Sequence, residues 1–87
     1  MTTVQAFISG RVQGVGFRYT THYYAERLHI TGSVKNLSDG RVELIMQGPQ
    51  ESIQKLLQTL KEQFVVSDID QQMLATKETF TQFRVSL

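Results

Sequence analysis

Apolar and polar positions alternate near both ends of the chain and recur at helical spacing between them. In "TVQAFIS", residues 3–9, Val4, Ala6 and Ile8 fall on one side and Gln5, Phe7 and Ser9 on the other. That two-residue period is a strand with both faces partly covered. "RYTTHYYAERLH" contains neither Gly nor Pro, and Phe17, Tyr24, Ala25 and Leu28 can share one helical face. Gly32 ends this first helix before a short strand, "SVKN". In "LSDGR", Asp39-Gly40 supplies the positive φ angles of a tight hairpin, and "RVELIMQ" returns as a strand with Val42, Leu44 and Met46 on one face. Gly48-Pro49 opens a second helix, with Pro49 at its first position and Glu51 in its first turn. Ile53, Leu56, Leu57, Leu60 and Phe64 then recur at i, i+3, i+4, i+7 and i+11, the clearest periodic signal in the chain. A polar connection follows. Strands resume in "IDQQMLAT" and in "FTQFRVSL", where Phe83, Val85 and Leu87 alternate.

The order β-α-β-β-α-β with an additional C-terminal strand predicts an α+β fold. It is the ferredoxin-like split βαβ arrangement, a mostly antiparallel sheet with both helices on one face. A right-handed crossover makes the first two strands parallel, so both end at one edge of the sheet. The glycine-rich stretch "GRVQGVGFRY" is thereby expected to meet Lys35, Asn36 and the Asp39-Gly40 turn.

A chain of 87 residues without repeats or linkers reads as a single domain, 1–87, and a monomer is the simplest state for it. No apolar run approaches the ~18 residues of a membrane span, and "MTTVQAF" lacks the regions of a signal peptide, so a cytoplasmic location without membrane attachment is expected. With no cysteine, disulfides and thiolate metal sites are excluded. The net charge of +1 hides an asymmetry. Residues 1–41 carry five Lys/Arg against two Asp/Glu, whereas residues 42–87 carry four against six. A basic half containing the glycine loop suits a small anion better than a nucleic-acid track, which needs a broader basic face.

The loop itself fails the known phosphate fingerprints. No lysine follows its glycines as a Walker loop requires, and a dinucleotide pattern begun at Gly14 and Gly16 ends wrongly at Tyr19. What remains is Val12 to Arg18 leading into a helix N-terminus, where amides and the helix dipole converge on an anion and Arg18 adds a bidentate clamp. An ordinary strand-to-helix turn with a surface arginine has the same local composition. No serine has a recognisable activating partner, and His22 and His29 are too few and too ill-spaced for a metal site. No cofactor is implied.

"GRVQGVGFRY" followed by "TGSVKNLSDGRVELIMQGP" resembles the acylphosphatase family over essentially the whole chain. The shared features are G-x-V-Q-G-V-G-F-R, G-x-V-x-N-x-x-D-G and a closing F-x-x-F-x-V strand from Phe80 to Val85. The resemblance implies hydrolysis of small-molecule acyl phosphates at a site made of Arg18, Asn36 and the backbone of Gln13, Gly14, Val15, Gly16 and Phe17. Ser33 stands where many relatives have a large aromatic, His29 where glycine is frequent, and "EQFVVSDID" lacks the usual Gly/Pro-rich link. These departures bear on packing, stability and rate and leave both catalytic positions in place.

The chemistry is coherent on these residues. A carboxylate leaving group, with a pKa near ~4, departs without an acid, and phosphoryl transfer needs chiefly positioning and charge stabilisation. Asn36 can hold a water in line without taking its proton, and acceptance of that proton by the bound phosphate is consistent with the resemblance. A stable monoester would demand a metal pair or an activated nucleophile, and the sequence offers neither, so metal-independent hydrolysis is expected. An RNA-recognition module shares the topology but needs aromatics on its central strands, and "RVELIMQG" has none. A module that binds an anion without turnover stays open, as does the choice among acetyl, carbamoyl, other acyl phosphates and phosphoaspartyl proteins.

Overall fold

The alternation at the N-terminus becomes β1 (Thr2–Arg11), and the chain continues as α1 (Phe17–Arg27), β2 (Thr31–Asn36) and β3 (Val42–Gly48). It ends with α2 (Gln50–Gln63), β4 (Val65–Met73) and β5 (Phe83–Val85), in a computed structural model that describes residues 1–86. The five strands form one sheet in the order β4-β1-β3-β2-β5. β3 is antiparallel to both β1 and β2, so those two run in the same direction and end at the same edge. β5 joins β2 in parallel. This is the expected α+β ferredoxin-like arrangement.

Register explains the core. Val4 lies opposite Met46, Ala6 opposite Leu44 and Ile8 opposite Val42, while Val34 of β2 lies opposite the same Leu44. Alternation sends all of these to one face, where they are buried under the helices. The α2 stripe of Ile53, Leu56, Leu57 and Leu60 is buried against them, at about 1.5–3 kcal/mol for each aliphatic side chain removed from water. Phe64, the next member of the stripe, stands just past the helix and meets the Phe17 ring edge-on at 4.9 Å between centroids.

The ends of elements depart from the sequence-based expectations in instructive ways. Pro49 is the residue before the helix, in extended conformation, rather than its first helical residue. No polar connection follows α2. Phe64 is already extended, and β4 begins at Val65, four residues before the expected start at Ile69. β4 is an edge strand with little burial, so its alternation is faint in the sequence. β5 is shorter than "FTQFRVSL" suggests, because Gln47 holds the preceding segment across the other face of the sheet. Its carboxamide donates to Thr3 Oγ1 (2.9 Å) and to the Glu78 carbonyl (2.8 Å), and accepts from the Phe80 N–H (2.8 Å). Leu87, the last position of the expected alternation, lies outside the described residues.

The hairpin between β2 and β3 is a five-residue loop, 37–41, and only Gly40 has a positive φ, of 94°. Asp39 acts through its carboxylate instead. It accepts the Arg41 N–H (3.0 Å) and Nε (2.8 Å), and the backbone and side-chain hydrogen bonds from Arg41 hold its pKa below the usual aspartate value. A lowered pKa means this contact is intact at neutral pH and is lost only as the pH falls through that lowered value.

α1 ends in a Schellman motif. The Ile30 N–H reaches the Ala25 carbonyl (2.8 Å), and the His29 N–H reaches that of Glu26 (3.2 Å). His29 therefore sits at φ 57°, a left-handed position where a side chain is strained. His29→Gly is expected to stabilise the fold by about 0.5–1 kcal/mol, measured as a raised urea midpoint with an unchanged m-value. A lower midpoint would mean that the imidazole makes a contact that outweighs its backbone strain.

Candidate active site

Beyond β1 the chain must turn from strand to helix within residues 12–16, and Gly14 (φ 75°) and Gly16 (φ 82°) make that turn in left-handed conformations. A Cβ on either would touch no other part of the chain, so glycine is required by the backbone alone. Gly16 is the N-cap of α1, no side chain caps the helix, and its first turn holds no acidic residue. The first helical hydrogen bond runs from the Thr20 N–H to the Gly16 carbonyl (3.1 Å), which leaves the Phe17, Arg18 and Tyr19 amides without an acceptor among the described residues. Among the described residues, no acceptor takes the loop amides from Gln13 to Gly16 either. Donors and helix dipole thus favour negative charge at one point.

A cavity of about 90 Å³ lies at that point, lined by Val12, Gly14, Gly16, Phe17, Arg18, Tyr19 and Asn36. Val12 and Phe17, both buried, form part of its lining. Asn36 is the last residue of β2, where the parallel course of β1 and β2 carries it to the same edge. Its Oδ1 is buried without a hydrogen-bond partner among the described residues. Such an acceptor costs roughly 1–3 kcal/mol unless water or a ligand donates to it. The guanidinium of Arg18 is oriented by one bond, Nη1 to the Ser86 carbonyl at 2.6 Å, and its other donors can turn to an anion. Apart from Arg18, the wall carries a carboxamide and a phenol, with no carboxylate, imidazole or thiolate. Among the described residues no group of three His, Cys, Asp or Glu could hold a metal ion. A larger depression of about 580 Å³, bordered by Ser33, Ile45, Phe80 and Arg84 among others, has no helix N-terminus at its edge.

The structure brings Gly14, Gly16, Phe17, Arg18 and Asn36 around one space, as expected, but Gln13 and Val15 do not line it. Gln13 has a different use. Its Nε2 donates to the carbonyls of Leu37 (2.8 Å) and Arg41 (2.9 Å), fastening the loop to the hairpin that follows Asn36. Val15 is at the loop's outer surface, 39% exposed. Sequence reasoning missed this side-chain role, the Ser86 carbonyl and the presence of Tyr19 in the wall, and it named Val12 only as the start of the loop. A carbonyl carries no residue-type signal. Tyr19 was findable, since it directly follows Arg18 in the first turn of a helix. Ser33 points away from the helices and lines other depressions, and His29 closes α1, so neither departure touches the cavity.

The acylphosphatase family model matches residues 4–85. The chain belongs to the acylphosphatase family. An acylphosphatase of Corynebacterium glutamicum (strain R) is 53% identical over 57 residues, which are 66% of this chain and 61% of that protein's length. The chain thus matches a little under two thirds of that curated relative. The crystal structure of acylphosphatase from Bacillus subtilis superposes with a TM-score of 0.93 at 33% identity, covering 100% of both chains. An acylphosphatase from Coxiella burnetii gives 0.89 at 41% identity, covering 98% of this chain and 92% of that one.

Gln13→Leu keeps the side-chain bulk and removes both donors to the hairpin. A loss of about 1–2 kcal/mol in urea unfolding is expected, the value of two hydrogen bonds at about 1 kcal/mol each. Unchanged stability would mean that loop and hairpin hold each other without the carboxamide.

Proposed function

We propose that this chain hydrolyses acyl phosphates to a carboxylate and inorganic phosphate, without a metal ion. The observation that carries this reading is the unpartnered Oδ1 of Asn36, buried in the wall of the cavity that also presents Arg18 and the free amides of the loop. A phosphoryl group has acceptors for the amides and the guanidinium, whereas a carboxamide oxygen needs a donor, and an attacking water is one. Family membership supports the substrate class.

In this mechanism the loop amides and Arg18 hold the three non-bridging oxygens and offset their charge as it redistributes. Asn36 accepts one O–H of a water, turning its lone pair toward phosphorus. The water oxygen bonds to phosphorus as the bond to the acyl oxygen breaks, and that oxygen leaves with the electron pair as a carboxylate. The water's proton passes to a phosphate oxygen, so no side chain has to change its protonation state. A leaving group with a pKa near ~4 makes an acid unnecessary. Gln13 takes part by fixing the distance between the anion cradle and the hairpin, since an error of ~1 Å in such a geometry costs on the order of 10²-fold.

The test is hydrolysis of benzoyl phosphate in excess EDTA. Turnover that survives chelation is expected. Arg18→Ala should abolish turnover and inorganic phosphate binding together. Asn36→Ala should lower kcat by about 10²-fold while phosphate still binds as a competitive inhibitor. Equal loss of phosphate binding in both variants would refute this division of roles. A folded wild-type protein that binds phosphate but turns over no acyl phosphate would make the cavity a binding site only.

A further inference from the structure

In the hydrolysis reading the phosphoryl group sits between Arg18 and the loop amides, so the acyl group it carries lies against the remaining wall residues or beyond them, toward solvent.

Tyr19 is the wall residue with the most exposed side chain there, at 62%, in the first turn of α1 immediately after Arg18. Its ring is unlike those of the neighbouring tyrosines. Tyr23 carries the Arg27 guanidinium 3.7 Å from its centroid and meets Tyr24 edge-on, and the Tyr24 hydroxyl accepts from Gln63 Nε2 (2.6 Å). Among the described residues no ring or guanidinium engages Tyr19. Val15, at the top of the same loop, adds a second exposed apolar side chain. An aromatic of this size left in water beside a cavity mouth has its face free for a ligand group. Arg18 is the one charged side chain in the wall, and the phosphate occupies it, so a charged acyl group would meet no partner in the cavity wall.

Building on the hydrolysis reading, we infer that Tyr19 receives the acyl group, and that the substrates favoured by this site are acyl phosphates whose acyl group is uncharged and aromatic in size. Tyr19 is thus a specificity residue acting through KM. It takes no part in the bond changes at phosphorus, so an aromatic substrate and a small one share the same chemical step.

Binding of two non-hydrolysable analogues, benzoylphosphonate and acetylphosphonate, measured by calorimetry tests this independently of turnover. The wild-type protein is expected to bind the benzoyl compound about tenfold more tightly, the size of one aromatic contact. Tyr19→Ala should remove that preference, and Tyr19→Phe should keep it. Inorganic phosphate, which has no acyl group, reports in the same variants whether the cradle is intact. A preference that persists in Tyr19→Ala, or its absence from the wild type, would overturn the inference. Hydrolysis of benzoyl and acetyl phosphate run beside it addresses the activity separately. If neither acyl phosphate turns over while the binding preference is present and depends on Tyr19, the hydrolysis reading fails and the acyl-recognition site stands.

Discussion

Burial of Phe17 joins the core of this protein to its candidate site. Its ring is sealed against Phe64 and the apolar face of the sheet, and it is the first residue of α1. Anchoring that residue fixes where the helix begins and therefore where its unpaired amides point. Arg18 follows at once, so the guanidinium starts from a backbone that the core has already immobilised. The cavity lining and the hydrophobic core thus share two side chains, Val12 and Phe17. This makes the loop and its unpaired amides as rigid as the packing behind them.

Two further ties convert that anchored helix end into a site. The Gln13 carboxamide reaches across to the hairpin, and the Arg18 guanidinium reaches to the last turn of chain after β5. Each spans elements far apart in sequence, so three separate segments are held together by directional bonds at one edge of the sheet. The parallel course of β1 and β2 makes those bonds possible, because it puts both strand ends on the same side. β3, running back between them, sets the separation. Among the described residues the buried side-chain atom without a partner lies here, at Asn36 Oδ1, whereas Gln47 is a buried carboxamide whose donors and acceptor are all engaged. The contrast separates a polar residue that secures the fold from one left with an unpaired oxygen.

The α2 stripe, the alternation of β1 and β3 and the meeting of the loop with Asn36 were legible in residue order alone. Periodicity reports burial directly when one face is fully covered, as it is for these elements. β4 was displaced in the reading because an edge strand buries little and so leaves a weak alternation. The Asp39-Gly40 turn was located correctly, but its chemistry was divided wrongly between φ angles and a carboxylate. Either solution uses the same two residue types.

The sequence by itself determined the fold class, through its periodicity, and the family, through its resemblance to known members, and it singled out candidate residues for meeting an anion. Only the tertiary structure decided that Gln13 serves through its side chain, that Ser86 orients Arg18, that Asn36 keeps an oxygen free and that Tyr19 stands at the rim. Those are properties of distance between segments distant along the chain. A one-dimensional pattern records which groups are available, and packing chooses which of them are used up and which are left to bind.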